Sequence, residues 1–329
     1  MAIHRNQAGE IITAVLDDTY KEDVLAGLQS SPKYLQSKYF YDEKGDQLFI
    51  EIMNSPEYYV TRCEMDIFKN KTSALADNSI ADKTRAFDII ELGAGDATKT
   101  THLLRHLQEQ GFNYRYYPID ISANVIQLLE NELPDRVNGI DVYGLQGEYL
   151  PAIKKAYKLS DRPKIIFFLG SNIGNFHKNA AFKFLKEVNQ LMKKDDRFIL
   201  GVDLVKNPKQ ILAAYNDAAG ITKAFNLNLL ERMNRELSAN FDTDNFDHYP
   251  TYDPITGECR SYIISLQDQQ VCIAGTNISF KENEPIYMEL SQKYSVSEID
   301  QMASATGFTA LEMLYDKNFW FVDAVWEKA

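Results

Sequence analysis

Four short apolar runs set the frame for this chain: FDIIEL (87–92), YRYYPID (114–120), KIIFFLG (164–170) and RFILGVDL (197–204). Each is dominated by aliphatic and aromatic residues, with few polar interruptions, as in a strand buried on both faces. Helical stretches separate them: about Thr98 to Gln110, SANVIQLLENEL, a short helix near Pro151, and KNAAFKFLKEVNQLMKK. GIDVYGL adds one more strand. Strands alternating with helices of this length predict βαβ units, hence a parallel α/β sheet with helices on both faces.

Around Lys206 the rhythm changes. NPKQILAAYNDAAGITKAFNLNLLERMNREL reads as nearly all helical, and RSYIISLQ, QVCIAGTNISF and PIYMELSQKYS follow as an antiparallel meander. A helix at VSEIDQMASATG and two strands, FTALEML and FWFVDAVWE, end the chain. The first sixty or so residues read as helix and loop crowded with aromatics, and a helix runs from about Arg62 into the seventies.

The chain carries 329 residues with a formal net charge of −12, which argues against a nucleic-acid partner, because phosphate binding needs a basic surface. Three scattered cysteines, with no C-x-x-C, suit a reducing compartment, and no apolar run approaches the length of a membrane span. A cytoplasmic protein, more readily a monomer than an oligomer, is the expectation. His102 and His106 stand four apart on one helix without a third ligand, so no metal is expected.

Chemistry first appears in ELGAGDATKT. Glycines directly after a buried strand let a ligand approach the backbone, yet the third glycine of a dinucleotide fingerprint is missing and Thr98 stands there. Asp120 ends the second strand, where a carboxylate can accept ribose hydroxyls, and Glu148 and Tyr149 follow the third. With Glu91, these acids are expected at strand ends along one edge. Acid there favours a cationic nucleoside cofactor over a pyrophosphate, so S-adenosylmethionine fits better than NAD. An NAD-dependent oxidoreductase is the weaker alternative. In LGSNIGNF the asparagines Asn172 and Asn175 follow the third apolar run, KIIFFLG; they either face the ligand crevice or cap the next helix.

Taken together, SPEYYVTR, ELGAGDATKT, FFLGSNIGNF, GVDLVK, AAYNDAAGITKAFN, NRELSANFD and MELSQKYS resemble the histidine-specific S-adenosylmethionine-dependent Nα-methyltransferases of ergothioneine biosynthesis over nearly the whole chain. The resemblance implies a class I methyltransferase (Rossmann-like) sheet, built from 67–205 and 293–329. A smaller α+β substrate-binding domain would comprise 1–66 and 206–292. It implies methylation of the α-amino group of L-histidine, up to the trimethylated betaine hercynine. The implied cofactor residues are Gly93, Lys99, Asp120, Glu148 and Tyr149; the substrate residues are Tyr41, Tyr58, Asn175, Tyr215, Glu289 and Ser291. Tyr41 and Asn175 carry the catalytic roles, orienting the amine and holding the amino-acid head group. Glu289 and Ser291, two apart on a strand, would read the imidazole ring. Family members place a methionine beside that ring, and Ser261 stands nearest to it here, which leaves a modified histidine or another aromatic amino acid as the alternative substrate.

Overall fold

A computed structural model of the protein describes the backbone from Thr13 to Ala329 and the side chains from Thr19. In chain order, α1 (Thr13–Gln29), β1 (Lys33–Tyr34), α2 (Glu43–Asn54), α3 (Tyr59–Asn70) and α4 (Thr72–Ser79) come first. The alternating region holds β2 (Phe87–Leu92), α5 (Thr100–Glu109), β3 (Tyr114–Asp120), α6 (Ala123–Arg136), β4 (Asp141–Val142), β5 (Leu145–Gln146), α7 (Tyr149–Leu159), β6 (Lys164–Phe168), α8 (Lys178–Leu191) and β7 (Arg197–Asp203). After it come α9 (Pro208–Ala214), α10 (Ile221–Glu236), β8 (Phe246–Asp253), β9 (Glu258–Ser265), β10 (Gln269–Ile273), β11 (Thr276–Phe280), β12 (Pro285–Gln292), α11 (Val296–Ala305), β13 (Phe308–Tyr315) and β14 (Phe321–Lys328).

The chain divides into two compact units. The first takes the described residues through Glu57, Leu212–Tyr252 and Arg260–Glu289; the second takes Tyr58–Ile211, Asp253–Cys259 and Leu290–Ala329. The cuts at 57/58, 211/212 and 289/290 stand against those expected after 66, 205 and 292. In particular, α3 belongs wholly to the second unit, because Tyr59 donates to Asp203 (2.9 Å) and Glu64 accepts from the Gly170 N–H.

The second unit is built on a sheet of order β13-β14-β7-β6-β2-β3-β4, with β5 also paired to β3. Strands β4, β3, β2, β6 and β7 run parallel; β14 is antiparallel to both β7 and β13. This is the class I methyltransferase arrangement. Every residue of β2 and β6 is buried, as their unbroken apolar character requires. Ile90, Ile119, Ile166, Phe168, Leu200 and Trp326 meet in one core, each large side chain contributing roughly 1.5–3 kcal/mol by leaving water. GIDVYGL is not one strand: it breaks into β4 and β5 at Gly144, whose N–H is drawn to Glu130 (2.9 Å). Chain order runs from β2 out to β3 and β4, then back to β6 on the other side of β2. That reversal opens a crevice beyond the carboxyl ends of β2 and β6.

The first unit holds a sheet of order β1-β12-β9-β8 and a separate two-stranded hairpin, β10-β11. The expected meander is therefore corrected in three places. QVCIAGTNISF turns back on itself at Ala274 and Gly275, both with positive φ (47° and 82°), and pairs only within itself along the register Gln269–Phe280. An unanticipated strand, β8, lies at the sheet edge. Finally, β12 is paired in parallel by β1. Asp42 caps α2 by accepting from the Gly45 N–H (2.7 Å) and also binds Asn228 and Arg235 of α10, which fixes the two helices together. No helix among the described residues is long and apolar enough to cross a membrane.

Candidate functional site

At the end of β2 the backbone turns through Gly93 (φ 69°) and Gly95 (φ 54°), left-handed conformations that favour glycine. A Cβ on Gly93 would lie 2.7 Å from the Asn172 side-chain nitrogen and 3.2 Å from the Tyr149 hydroxyl, so three predicted or suspected site residues meet at one backbone position. Around Gly95 there is open space.

Asp120 ends β3 beside this loop. Its two carboxylate oxygens accept from Gly95 N (3.2 Å) and Ser122 N (2.9 Å). Burial raises its carboxyl above the ordinary range, against the pull of those N–H groups. Each oxygen keeps acceptor capacity, as binding a pair of ribose hydroxyls requires. Glu148 sits at the head of α7 with an exposed side chain, and the Tyr149 ring packs on Phe168 and Phe184 (5.3 and 6.0 Å between centroids). These features fit an adenosine cofactor: an open glycine turn, an acceptor at the strand end, and an exposed carboxylate one strand further.

One sequence expectation is corrected. Glu91 does not face the crevice. It is 2% exposed and accepts from Tyr116 (2.5 Å) and Thr100 (2.7 Å), and burial pushes its carboxyl up to about 7. Strand alternation turns position 91 into the sheet's helix-covered face. Lys99 directs its ammonium to Glu64, a fully buried carboxylate on α3. Burial works to lower the Lys99 pKa, but Glu64 outweighs it and holds the ammonium above its ordinary value.

The β6 end answers the choice left open for the asparagines. Gly170 (φ 69°) and Ser171 (φ 59°) make two successive left-handed turns, and a short 3-10 turn spans Asn172–Asn175. Neither asparagine caps α8, whose N-cap is His177 with no side-chain capping bond. Asn172 instead packs against Gly93, and Asn175 is exposed. Gly174 approaches β12 so closely that a Cβ would lie 2.8 Å from the Gln292 carbonyl, which fixes the turn's height.

Near this turn in the second unit, Asp203 ends β7. It pairs with Lys293 (2.7 Å) and Lys206 and accepts from Tyr59. Burial alone would raise the Asp203 carboxyl, yet the two ammonium groups hold it below its ordinary range. Lys293 also donates to the Ser291 hydroxyl (2.9 Å), so this predicted substrate residue is buried and anchored from beneath. Tyr58 is buried at the head of α3.

The first unit holds Tyr41, Tyr215 and Glu289. Tyr41 is half-buried and edge-packed against Phe49 (5.7 Å) and Phe225 (5.8 Å), which fixes its ring. Tyr215 follows the last residue of α9 and is half-buried. On β12, Ile286 and Met288 are buried while Tyr287 and Glu289 are half-buried. Tyr287 meets Tyr262 of β9 (5.8 Å between ring centroids), so Glu289 shares its face with Tyr262. Ser261 points the other way: it is 3% exposed and its hydroxyl lies 3.2 Å from the His248 Nε2. Ser261 therefore faces away from Glu289, one step of strand alternation from Tyr262.

Glu64 went unnoticed in the sequence, though a signal was present. Val60, Cys63, Ile67 and Phe68 form the buried stripe of α3, and Glu64 is a charge placed within that stripe.

A family model described as histidine-specific methyltransferase, SAM-dependent, matches residues 20–328. The histidine N-alpha-methyltransferase of Mycolicibacterium smegmatis is 33% identical over 84% of this chain and 85% of its own. That of Mycobacterium tuberculosis is 30% identical over 90% and 91%. A 4-dimethylallyltryptophan N-methyltransferase of Claviceps fusiformis is 32% identical over 63% of this chain and 59% of its own. Among solved structures, an S-adenosylmethionine-dependent methyltransferase from Clostridium acetobutylicum aligns with a TM-score of 0.45 at 12% identity, covering 81% of this chain and 91% of that one.

Proposed function

Since the chain belongs to the histidine-specific, S-adenosylmethionine-dependent methyltransferase family, we propose that it methylates the α-amino nitrogen of L-histidine, up to three times. The observation that carries this reading in the structure is the meeting of Gly93, Asn172 and Tyr149 beside the Asp120 carboxylate at the sheet's reversal point. The NAD alternative falls with the family assignment.

When bound, S-adenosylmethionine supplies an electrophilic methyl group on a sulfonium centre. Gly93 and Gly95 would admit it to the backbone, Asp120 would accept its ribose hydroxyls, and Glu148 its adenine amino group. Tyr149 closes the floor of the turn. Lys99 acts through Glu64 in this reading and not by touching the cofactor.

For the amino acid, Asn175 offers a carboxamide that can hold the carboxylate or steer the amine, and Tyr58 and Tyr215 each carry a phenol able to serve an amino-acid head group. Tyr41, its ring locked by Phe49 and Phe225, orients the neutral amine. Holding that nitrogen in line with the methyl group it accepts supplies much of the rate. Aromatic faces also tolerate a quaternary ammonium product. Glu289 accepts an imidazole N–H, and Ser291 serves the other ring nitrogen.

The test is mass spectrometry of the protein incubated with S-adenosylmethionine and, separately, L-histidine, ring-modified histidines and tryptophan. Stepwise gains of methyl mass on histidine are expected, and Asn175→Ala should abolish most turnover while leaving cofactor affinity nearly intact. Turnover on tryptophan alone would move the chain toward the relatives acting on 4-dimethylallyltryptophan. Asn175→Ala with full turnover would remove Asn175 from the site.

A further inference from the structure

Beneath the crevice lies a charge arrangement that the proposed reaction does not itself use. Glu64 leaves α3, fully buried, and reaches the point where β6 ends. Its two oxygens accept from the Gly170 N–H (2.8 and 3.0 Å), and one of them takes the Lys99 ammonium as well. Space for this carboxylate exists because β7 carries Gly201 there. A Cβ at position 201 would collide with Glu64 Oε1 and come within 3.2 Å of Asp323 Oδ1.

Asp323 on β14 is the fourth member. Burial and the neighbouring Glu64 charge push its carboxyl far up, favouring the protonated form of Asp323. The group then balances as one carboxylate charge against one ammonium, the condition for keeping such charges inside a protein.

What Glu64 grips matters more than its charge. Lys99 is the residue before α5 and ends the glycine turn that begins at Gly93. Gly170 opens the double left-handed turn that presents Asn172 and Asn175. A single carboxylate therefore holds the closing residue of one loop and the opening residue of the other. Where the two loops touch, Asn172 rests on Gly93.

We propose that Glu64 is a positioning residue that ties the cofactor loop to the asparagine turn, so that filling the first site readies the second. This rests on the functional reading above, and the tie is read out as coupling between ligands. A carboxylate serving only to bury Lys99 would affect folding but would leave the ligands' mutual influence unchanged.

The experiment uses the full chain and titration calorimetry with L-histidine, alone and with saturating S-adenosylhomocysteine, the demethylated form of the cofactor. Wild type should bind histidine about tenfold more tightly when the second ligand is present, within the usual range of coupling between sites. In Glu64→Gln, which keeps the side chain's size but loses its charge, the ratio should fall close to one. Gly201→Ala, which displaces the carboxylate without removing it, should do the same. If Glu64→Gln does not fold, Lys99→Met cuts the cofactor arm alone, and its ratio should also approach one. A wild-type ratio of one overturns the tie, as does an undiminished ratio in a folded Glu64→Gln or, failing that, Lys99→Met. A wild type that methylates no histidine defeats the functional reading by a separate measurement.

Discussion

The carboxyl end of the parallel sheet and the face of β12 are shaped by opposite means. At the first, backbone does the shaping: Gly93, Gly95, Gly170 and Ser171 all adopt left-handed conformations, and side chains settle onto the turns they make. At the second, the backbone is a plain extended strand, and everything depends on which residues fall on the side of Glu289 and Tyr287. A site cut from backbone tolerates few residue types, whereas a site on a strand face can be rewritten one side chain at a time. The difference predicts where substrate choice is able to change within a family: on the strand face, with the glycine turns held constant.

The largest test of this contrast is pH, because each unit buries a group that titrates with opposite sign. His248, in the first unit, is 8% exposed, and burial lowers its imidazole to about 4. Unfolded, it takes a proton near 6.5, so its stabilisation is present above 6.5 and is lost as pH falls through about 4. Glu91, in the second unit, keeps its proton in the folded state up to about 7. Its contribution is present below the unfolded value of about 4.5 and is lost as pH rises through 7. Each limb amounts to about 3 kcal/mol at most. Urea melts between pH 4 and 8 should show His248→Gln flattening the acid limb and Glu91→Gln the neutral one. A His248→Gln protein with wild-type acid sensitivity would separate His248 from that limb.

Next in size are the two carboxylates proposed to meet the ligands. Asp120→Ala should weaken S-adenosylhomocysteine binding by roughly 1.5–3 kcal/mol, the value of hydrogen bonds to a charged group, with histidine selectivity unchanged. Glu289→Ala should do the reverse: cofactor affinity stays, and the preference for histidine over tryptophan falls by a similar amount. Calorimetry and competition assays check both. If Glu289→Ala stays as selective as wild type, the strand face is not the selective surface and the contrast between the two regions fails.

The smallest expected effect is at Ser261. Its hydroxyl bonds His248 on the face opposite Glu289, so Ser261→Ala should cost about 1 kcal/mol of stability and leave substrate preference alone. Tyr262→Ala, on the Glu289 face, should alter preference. A selectivity change in Ser261→Ala, read from product masses, would return that serine to the ring.

The same contrast explains what could be read from the sequence. Strands β2, β6 and β7 are buried on both faces and announce themselves as apolar runs, and left-handed turns announce themselves as glycines, so the strands of the parallel sheet and the Gly93 loop were legible. Strand faces were not. Ser261 turns to the face opposite Glu289, and a shift of one residue reverses every side chain. Glu91 was misjudged for that reason: it sits one position before the edge and points inside. β8 was missed because FDHYPTYD carries no clean alternation and a proline within it, features that read as loop. Glu64 was passed over because a helix charge is ordinarily solvated, even one inside an apolar stripe; the Gly201 gap that receives it lies more than a hundred residues away in sequence.

The pairing of β1 with β12 carries a consequence for how the chain is made. Lys33 lies opposite Ile286, and Asp42 waits for Asn228 and Arg235. During synthesis the second unit's central strands can begin to associate once β7 has emerged, while the first unit has no complete sheet until β12 leaves the ribosome. Lys33–Tyr34 remain without their final partner for some 250 residues of translation, an interval of roughly ten to fifty seconds at ordinary elongation rates, and α2 waits for α10 through most of it. Loop closure over that separation is slow and leaves apolar surface open meanwhile. Rare codons or chaperone depletion late in the message should therefore harm this protein more than the same disturbance early, and a nascent chain halted before residue 286 should be far more sensitive to protease in residues 19–57 than in 87–203.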